Sequence, residues 1–78
     1  MTNFKPKLDV AAGLRRSQLS ITDLWIRYLA IGGSADELEL EAYLLGLLTM
    51  DTYQHNLIAQ ALNEFFLDLG EDHLVGYW

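Results

Sequence analysis

Start and stop signals for helices divide this chain at short intervals, and they leave little room for any other regular structure. Ser20 stands three residues before Asp23, an N-cap hydroxyl followed by an acid at the third helical position, and Gly32-Gly33 supplies the stop. Ser34 with Glu37 reads as an S-x-x-E capping box, and Asp36 and Glu37 suit the positive end of a helix dipole. Asp51 with Gln54, or Thr49, opens a last helix that Gly70 closes. A weaker helix is expected over residues 8–16, after a polar lead-in, residues 1–7, that holds the only proline, Pro6. With connectors of two to four residues, the expectation is an all-α fold, a compact bundle of about four helices, one short and three longer, in a single domain over residues 1–78.

The apolar residues between these signals recur at helical spacing. Over residues 21–31, Ile21, Leu24, Trp25, Tyr28, Leu29 and Ile31 form one stripe, with Trp25 and Tyr28 as core candidates and Ile26 off it. Over residues 52–69, Ile58, Ala59, Ala61, Leu62, Phe65, Phe66 and Leu69 form an arc opposed by Asn56, Gln60, Asn63, Glu64 and Asp68, with Leu57 and Leu67 outside it. The helix expected over residues 35–47 is different. Leu38, Ala42, Leu45 and Leu48 make one stripe, and Leu40, Tyr43, Leu44 and Leu47 make a second on the far side. Such a helix is either central in its own domain or sandwiched against a partner. The end of the sequence, His73-Leu74-Val75-Gly76-Tyr77-Trp78, is too apolar for a solvated terminus and is expected to pack as an extended tail, on its own bundle or across a neighbouring subunit.

Composition sharpens the reading. Hydrophobic residues make up 51% of 78 before six glycines are counted, against roughly 45–50% for the whole apolar class in typical chains. A domain this small hides only about 60% of its unfolded surface. Some apolar surface is therefore expected to need another chain, and Leu40, Tyr43, Leu44 and Leu47 are the first candidates for a homodimer interface, with Tyr77 and Trp78 beside them. The net charge is −6, yet all five cations, Lys5, Lys7, Arg15, Arg16 and Arg27, precede residue 28. The remainder carries nine acids and no Lys or Arg. Nucleic-acid affinity begins with cations on phosphate, so a nucleic-acid partner is not expected, while a basic protein surface suits the acidic part. No apolar run approaches a membrane span and no signal peptide is indicated. The absence of cysteine removes disulfide frameworks and thiolate zinc sites and fits a reducing, cytoplasmic address.

The chemistry-bearing residues are few. His55 sits at the edge of the last helix's apolar arc, where a hydrogen-bonded structural histidine is the expectation, since no lysine follows it to support phosphoryl transfer. His73 with Glu71 and Asp72 is too contiguous to wrap a metal ion, and Glu37, Glu39 and Glu41 scatter around a helix. No phosphate loop, nucleophile elbow or dinucleotide fingerprint occurs. The expectation is a non-enzymatic, acidic interaction or regulatory module with no catalytic, cofactor-binding or metal-binding residues and no small-molecule substrate. The competing reading is a helix–turn–helix transcription regulator over residues 34–66, in which Lys5, Lys7, Arg15 and Arg16 would reach phosphate.

Overall fold

The computed structural model of the chain describes residues 7–71 and 74–78. Four helices follow one another: α1 (Val10–Ser17), α2 (Ile21–Ala30), α3 (Glu37–Leu44) and α4 (Thr52–Asp68). The fold is a compact all-α bundle in which α4 packs against α1 and α2, and α3 packs against α2. The expected lead-in falls almost wholly on residues 1–6, and Asp72 and His73 also lie outside the described residues. No helix among the described residues is long and apolar enough to cross a membrane.

Each helix begins with the same local chemistry. The side chains of Asp9, Ser20, Asp36 and Asp51 accept hydrogen bonds from the backbone N–H three residues on, at 2.7–3.0 Å, which satisfies one of the donors that a helix start leaves open. Two starts differ from the sequence reading. The first helix begins at Val10 rather than residue 8, because Leu8 is engaged in a parallel bridge with Val75. The third begins at Glu37, and its capping box is Asp36 with Glu39 rather than Ser34 with Glu37. Distant side chains cause the shift. The N–H groups of Ser34 and Ala35 donate to the Tyr28 hydroxyl at 3.1 and 2.9 Å, and Ser34 N–H also reaches Gln54 Oε1 at 3.1 Å. Glu37 accepts from the Thr22 hydroxyl instead. Asp36→Ala is expected to lower stability by about 1 kcal/mol, read from the urea midpoint, whereas Ser34→Ala is expected to cost less than half as much.

The helix ends share a motif as well. α3 stops at Leu44, not at residue 47, because Gly46 takes a left-handed conformation (φ +80°) and Leu47 N–H reaches back to Ala42 C=O at 2.8 Å. Gly46 N–H bonds Tyr43 C=O alongside it, completing the Schellman pattern. α2 and α4 close in the same way on Tyr28 and Phe66 carbonyls.

The core is centred on α4. Leu24 and Tyr28 from α2, Leu40 from α3, Ile58, Leu62 and Phe66 from α4, and Val75 from the C-terminal segment are fully or almost fully buried. At about 1.5–3 kcal/mol for each large apolar side chain removed from water, this cluster is the main favourable contribution to folding. Tyr28 joins the core as expected, Trp25 is half-buried with its indole N–H on Ala35 C=O, and Leu57 is buried although its helical projection places it off the arc. Ile26 and Leu67 remain exposed.

Candidate interaction surface and the aromatic tail

α3 carries hydrophobic residues on two faces, and the bundle takes in one of them. Leu40 is fully enclosed by the chain's own helices, and Tyr43 and Leu44 are half-buried. This corrects the expected partner face: the stripe of Leu40, Tyr43 and Leu44 is the inward one, because Leu40 fills the core and Tyr43 turns its hydroxyl to His55. Leu47, beyond the helix end, is 77% exposed. The opposite strip faces out. Leu38 is 73% and Leu45 67% exposed, with Leu48 in the following turn also exposed.

At 3.6 residues per turn, Leu38, Ala42 and Leu45 occupy a strip about 60° wide, bordered by Glu41 on one side and Glu39 on the other. Both glutamates are exposed. Beside this strip lies a groove of about 300 Å³ between α1, the start of α2 and the end of α3, lined by Ala11, Leu14, Ile21 and Leu44, with Leu45, Arg15 and Glu41 completing its wall. The surface is therefore an apolar ridge and an apolar recess side by side, with two carboxylates along the ridge.

A second constellation lies at the start of α4. Asp51 caps the helix and places His55 one turn in, facing α3 and the C-terminal segment. His55 is 3% exposed. Its Nδ1 bonds the Tyr43 hydroxyl at 2.5 Å, the two rings meeting edge to face, and its flat face stacks on Trp78 with centroids 3.7 Å apart and planes 10° from parallel. Burial, with the Asp9 carboxylate adding to it, pushes the Tyr43 hydroxyl up, so tyrosine keeps its proton at neutral pH. A protonated hydroxyl can donate to Nδ1 or accept from it, so the ring tautomer sets the roles in this bond, and the other ring nitrogen is Nε2. That atom is buried and has no hydrogen-bond partner.

Burial lowers the His55 pKa, and the Gly76 backbone, which favours the charged ring, offsets this only in part. A stacked indole also attracts a cation, by about 0.5–2 kcal/mol. Removing a charge from water costs several kcal/mol, so burial wins and the neutral ring is favoured. The expectation of a hydrogen-bonded structural histidine matches this geometry, though the burial is deeper than the edge of the arc implied.

Tyr77 and Trp78 are 48% and 65% exposed, and Trp78 lies on α4 of its own chain. What holds the tail there was not visible in the sequence. Asn63, read as part of the polar face of α4, is fully buried and binds the tail backbone. Its Oδ1 accepts from Leu74 N–H and Val75 N–H at 3.0 and 2.9 Å, and its Nδ2 donates to Val75 C=O at 2.9 Å. Asn56, two turns earlier on the same face, accepts from Trp78 N–H at 2.8 Å. An apolar tail needs a place to lie and its backbone needs partners. Two asparagines seven residues apart on the helix before it were the available signal.

The residues that a DNA-reading α4 would present are occupied. Gln54 bonds Tyr28 and Ser34, Asn56 bonds Trp78, and only Thr52 and Tyr53 of the first turn are exposed. Arg16 pairs with Glu71 at 3.0 Å, and the Arg27 guanidinium lies 5.0 Å over the Phe65 ring. Among the described residues no three His, Cys, Asp or Glu side chains gather where they could hold a metal ion. Compared with protein-family models, with curated proteins and with solved structures, the chain matches none.

Proposed function

We propose that the protein is a non-enzymatic, acidic interaction module whose outer α3 face receives a basic amphipathic segment of another protein. The observation that carries this reading is the exposed Leu38–Leu45 strip between Glu39 and Glu41, next to an apolar groove with room for one or two bulky side chains. Desolvated leucines give such a contact its affinity, and the flanking carboxylates give it sign and register. Self-pairing through the same strip is opposed by charge, since a second copy would set Glu39 and Glu41 against their own equivalents. A partner with lysines or arginines flanking its apolar face meets no such repulsion. The helix–turn–helix reading is less favoured, because the side chains at the start of α4 are engaged within the fold and its N-cap is Asp51.

The test uses a synthetic amphipathic helix with leucines on one face and lysines on its borders, titrated into the full chain by calorimetry at low salt. Binding is expected, weakening as salt is raised. The double variant Leu38→Ser/Leu45→Ser is expected to weaken it at least tenfold, about 1.4 kcal/mol, while Ile26→Ser on the outer side of α2 leaves it unchanged. No binding of the lysine peptide, or equal binding of a version with glutamates in place of the lysines, would sink the reading. A dimer seen by light scattering that dissociates in the Leu38/Leu45 variant would replace it with self-association.

A further inference from the structure

The C-terminal segment is held in two unequal halves. In the first, the Val75 side chain is wholly buried against Gly13 and Leu62, Asn63 makes three bonds to the backbone, and Leu8 brackets the segment by donating to Leu74 C=O and accepting from Gly76 N–H. In the second, Trp78 is held by the Asn56 side chain, through a 2.8 Å bond from its N–H and a 3.5 Å contact at its C=O, and by its stack on His55. Both Tyr77 and Trp78 are exposed to solvent on their other sides. The weaker half thus lies over the ring of His55, whose Nε2 is the one buried side-chain polar atom without a partner among the described residues. Gly76 stands at the junction of the two halves.

From this geometry we propose that Tyr77 and Trp78 are an acid-released latch hinged at Gly76: proton uptake by His55 lifts Trp78 off the imidazole while Val75 stays seated, uncovering the His55–Asn56 face of α4. A protonated imidazole has two N–H donors. The one at Nδ1 can be turned to the Tyr43 oxygen, which accepts as well as donates. While Trp78 lies over the ring, Nε2 makes no hydrogen bond and the Gly76 backbone favours the charged form by less than burial opposes it; water reaches the ring once the indole leaves.

The charged and titratable groups around the site do not compensate. From α3 comes Tyr43, neutral; from the α1 cap comes Asp9, which acts on Tyr43; on α4 itself Asp51 lies one turn back with its carboxylate on Gln54 N–H; and Lys7, packed beside Gly76, is a cation. No described carboxylate bonds Nε2.

The sign follows from linkage. His55 is held below its ordinary 6.5 when covered and returns towards it when uncovered, so the uncovered state binds the extra proton. Docking is complete above pH 6.5 and is lost as pH falls below it. The ratio of released to docked tail rises by up to tenfold per pH unit, the limit for one proton.

Proton NMR of the full chain between pH 8 and 4.5 tests this. The Trp78 indole and amide signals are expected to move in a one-proton transition whose midpoint matches that of the His55 ring, while the Val75 amide and the helical circular dichroism hold steady. His55→Gln, neutral throughout, should abolish the Trp78 transition. Trp78→Ala, which opens the site without touching the core, should raise the His55 midpoint towards 6.5, since coupling is reciprocal. The proposal is overturned by a Trp78 transition that persists in folded His55→Gln, by a His55 midpoint unmoved in Trp78→Ala, or by Val75 and the helical signal moving together with Trp78. If His55→Gln does not fold, the Trp78→Ala midpoint decides alone.

Discussion

Asn63→Ala is expected to lower the unfolding free energy by about 3 kcal/mol, a large fraction of the roughly 5–15 kcal/mol that keeps an ordinary domain folded. The mutant has two ways to respond, and the cheaper one sets the loss. If the tail stays docked, Leu74 N–H, Val75 N–H and Val75 C=O lose the partners that Asn63 now supplies. Each stranded buried group costs about 1–3 kcal/mol. If the tail leaves, those groups are hydrated, but the fully buried Val75 side chain enters water and the space it fills beside Gly13 and Leu62 is vacated. Exposing a valine costs about 1.5–3 kcal/mol, and half-buried Leu74 adds to it. The second route is the expected one, so amide exchange at Leu74–Val75 should accelerate more than exchange in α2. Asn56→Ala is the contrast: its bonds to Trp78 are solvent-accessible, and about 0.5–1 kcal/mol is expected. Urea denaturation of both variants reads the difference. Equal losses would mean that the tail contributes nothing through Asn63 beyond an exposed contact.

How much of this was legible in the sequence depends on whether a feature is set by neighbours along the chain or across it. Ser20, Asp51 and Gly70 act on backbone groups within four residues, so three of the helix boundaries could be read directly. The start of α3 could not. Ser34-x-x-Glu37 and Asp36-x-x-Glu39 are overlapping boxes, and the choice between them is made by the Tyr28 hydroxyl, which captures the Ser34 and Ala35 N–H groups. The direction in which α3 faces was equally out of reach. Leucines line both sides of it, and reading the helix past Gly46 added Leu47 and Leu48 to stripes in which they take no part. Once the helix stops at Leu44, the pair Leu40 and Leu44 with Tyr43 is the bulkier set, and it goes inside. Of the candidate site, His55 and the aromatic tail stood out by residue type. Their meeting, through an asparagine read as solvated, is a long-range fact that no local pattern encodes.

Gly33→Ala is expected to destabilise the bundle by about 3 kcal/mol, although the sequence presents Gly33 as one half of an ordinary stop signal. Its neighbour Gly32 is the residue whose backbone requires glycine, with φ at +107° and nothing nearer to a new Cβ than the Tyr53 hydroxyl at 3.7 Å. Gly33 is needed for space. A Cβ there would lie 2.3–2.4 Å from three ring atoms of Tyr28, well inside contact distance. The ring has nowhere to go. It is wholly buried, and its hydroxyl accepts from Ser34 and Ala35 N–H and donates to Gln54, so any shift that relieves the clash loosens the cap region before α3 and the tie to α4 together. Overpacking alone costs about 1–3 kcal/mol, and each weakened hydrogen bond adds about 1. The double variant Gly33→Ala/Tyr28→Leu separates the two contributions: removing the ring relieves the clash but forfeits its hydrogen bonds. Its loss should therefore fall short of the sum of the single losses by at least 1 kcal/mol, a coupling that adjacent, sterically conflicting sites show and independent ones do not. Additive losses in urea melts of the four proteins would place Gly33 away from the ring and remove the packing reason for this second glycine.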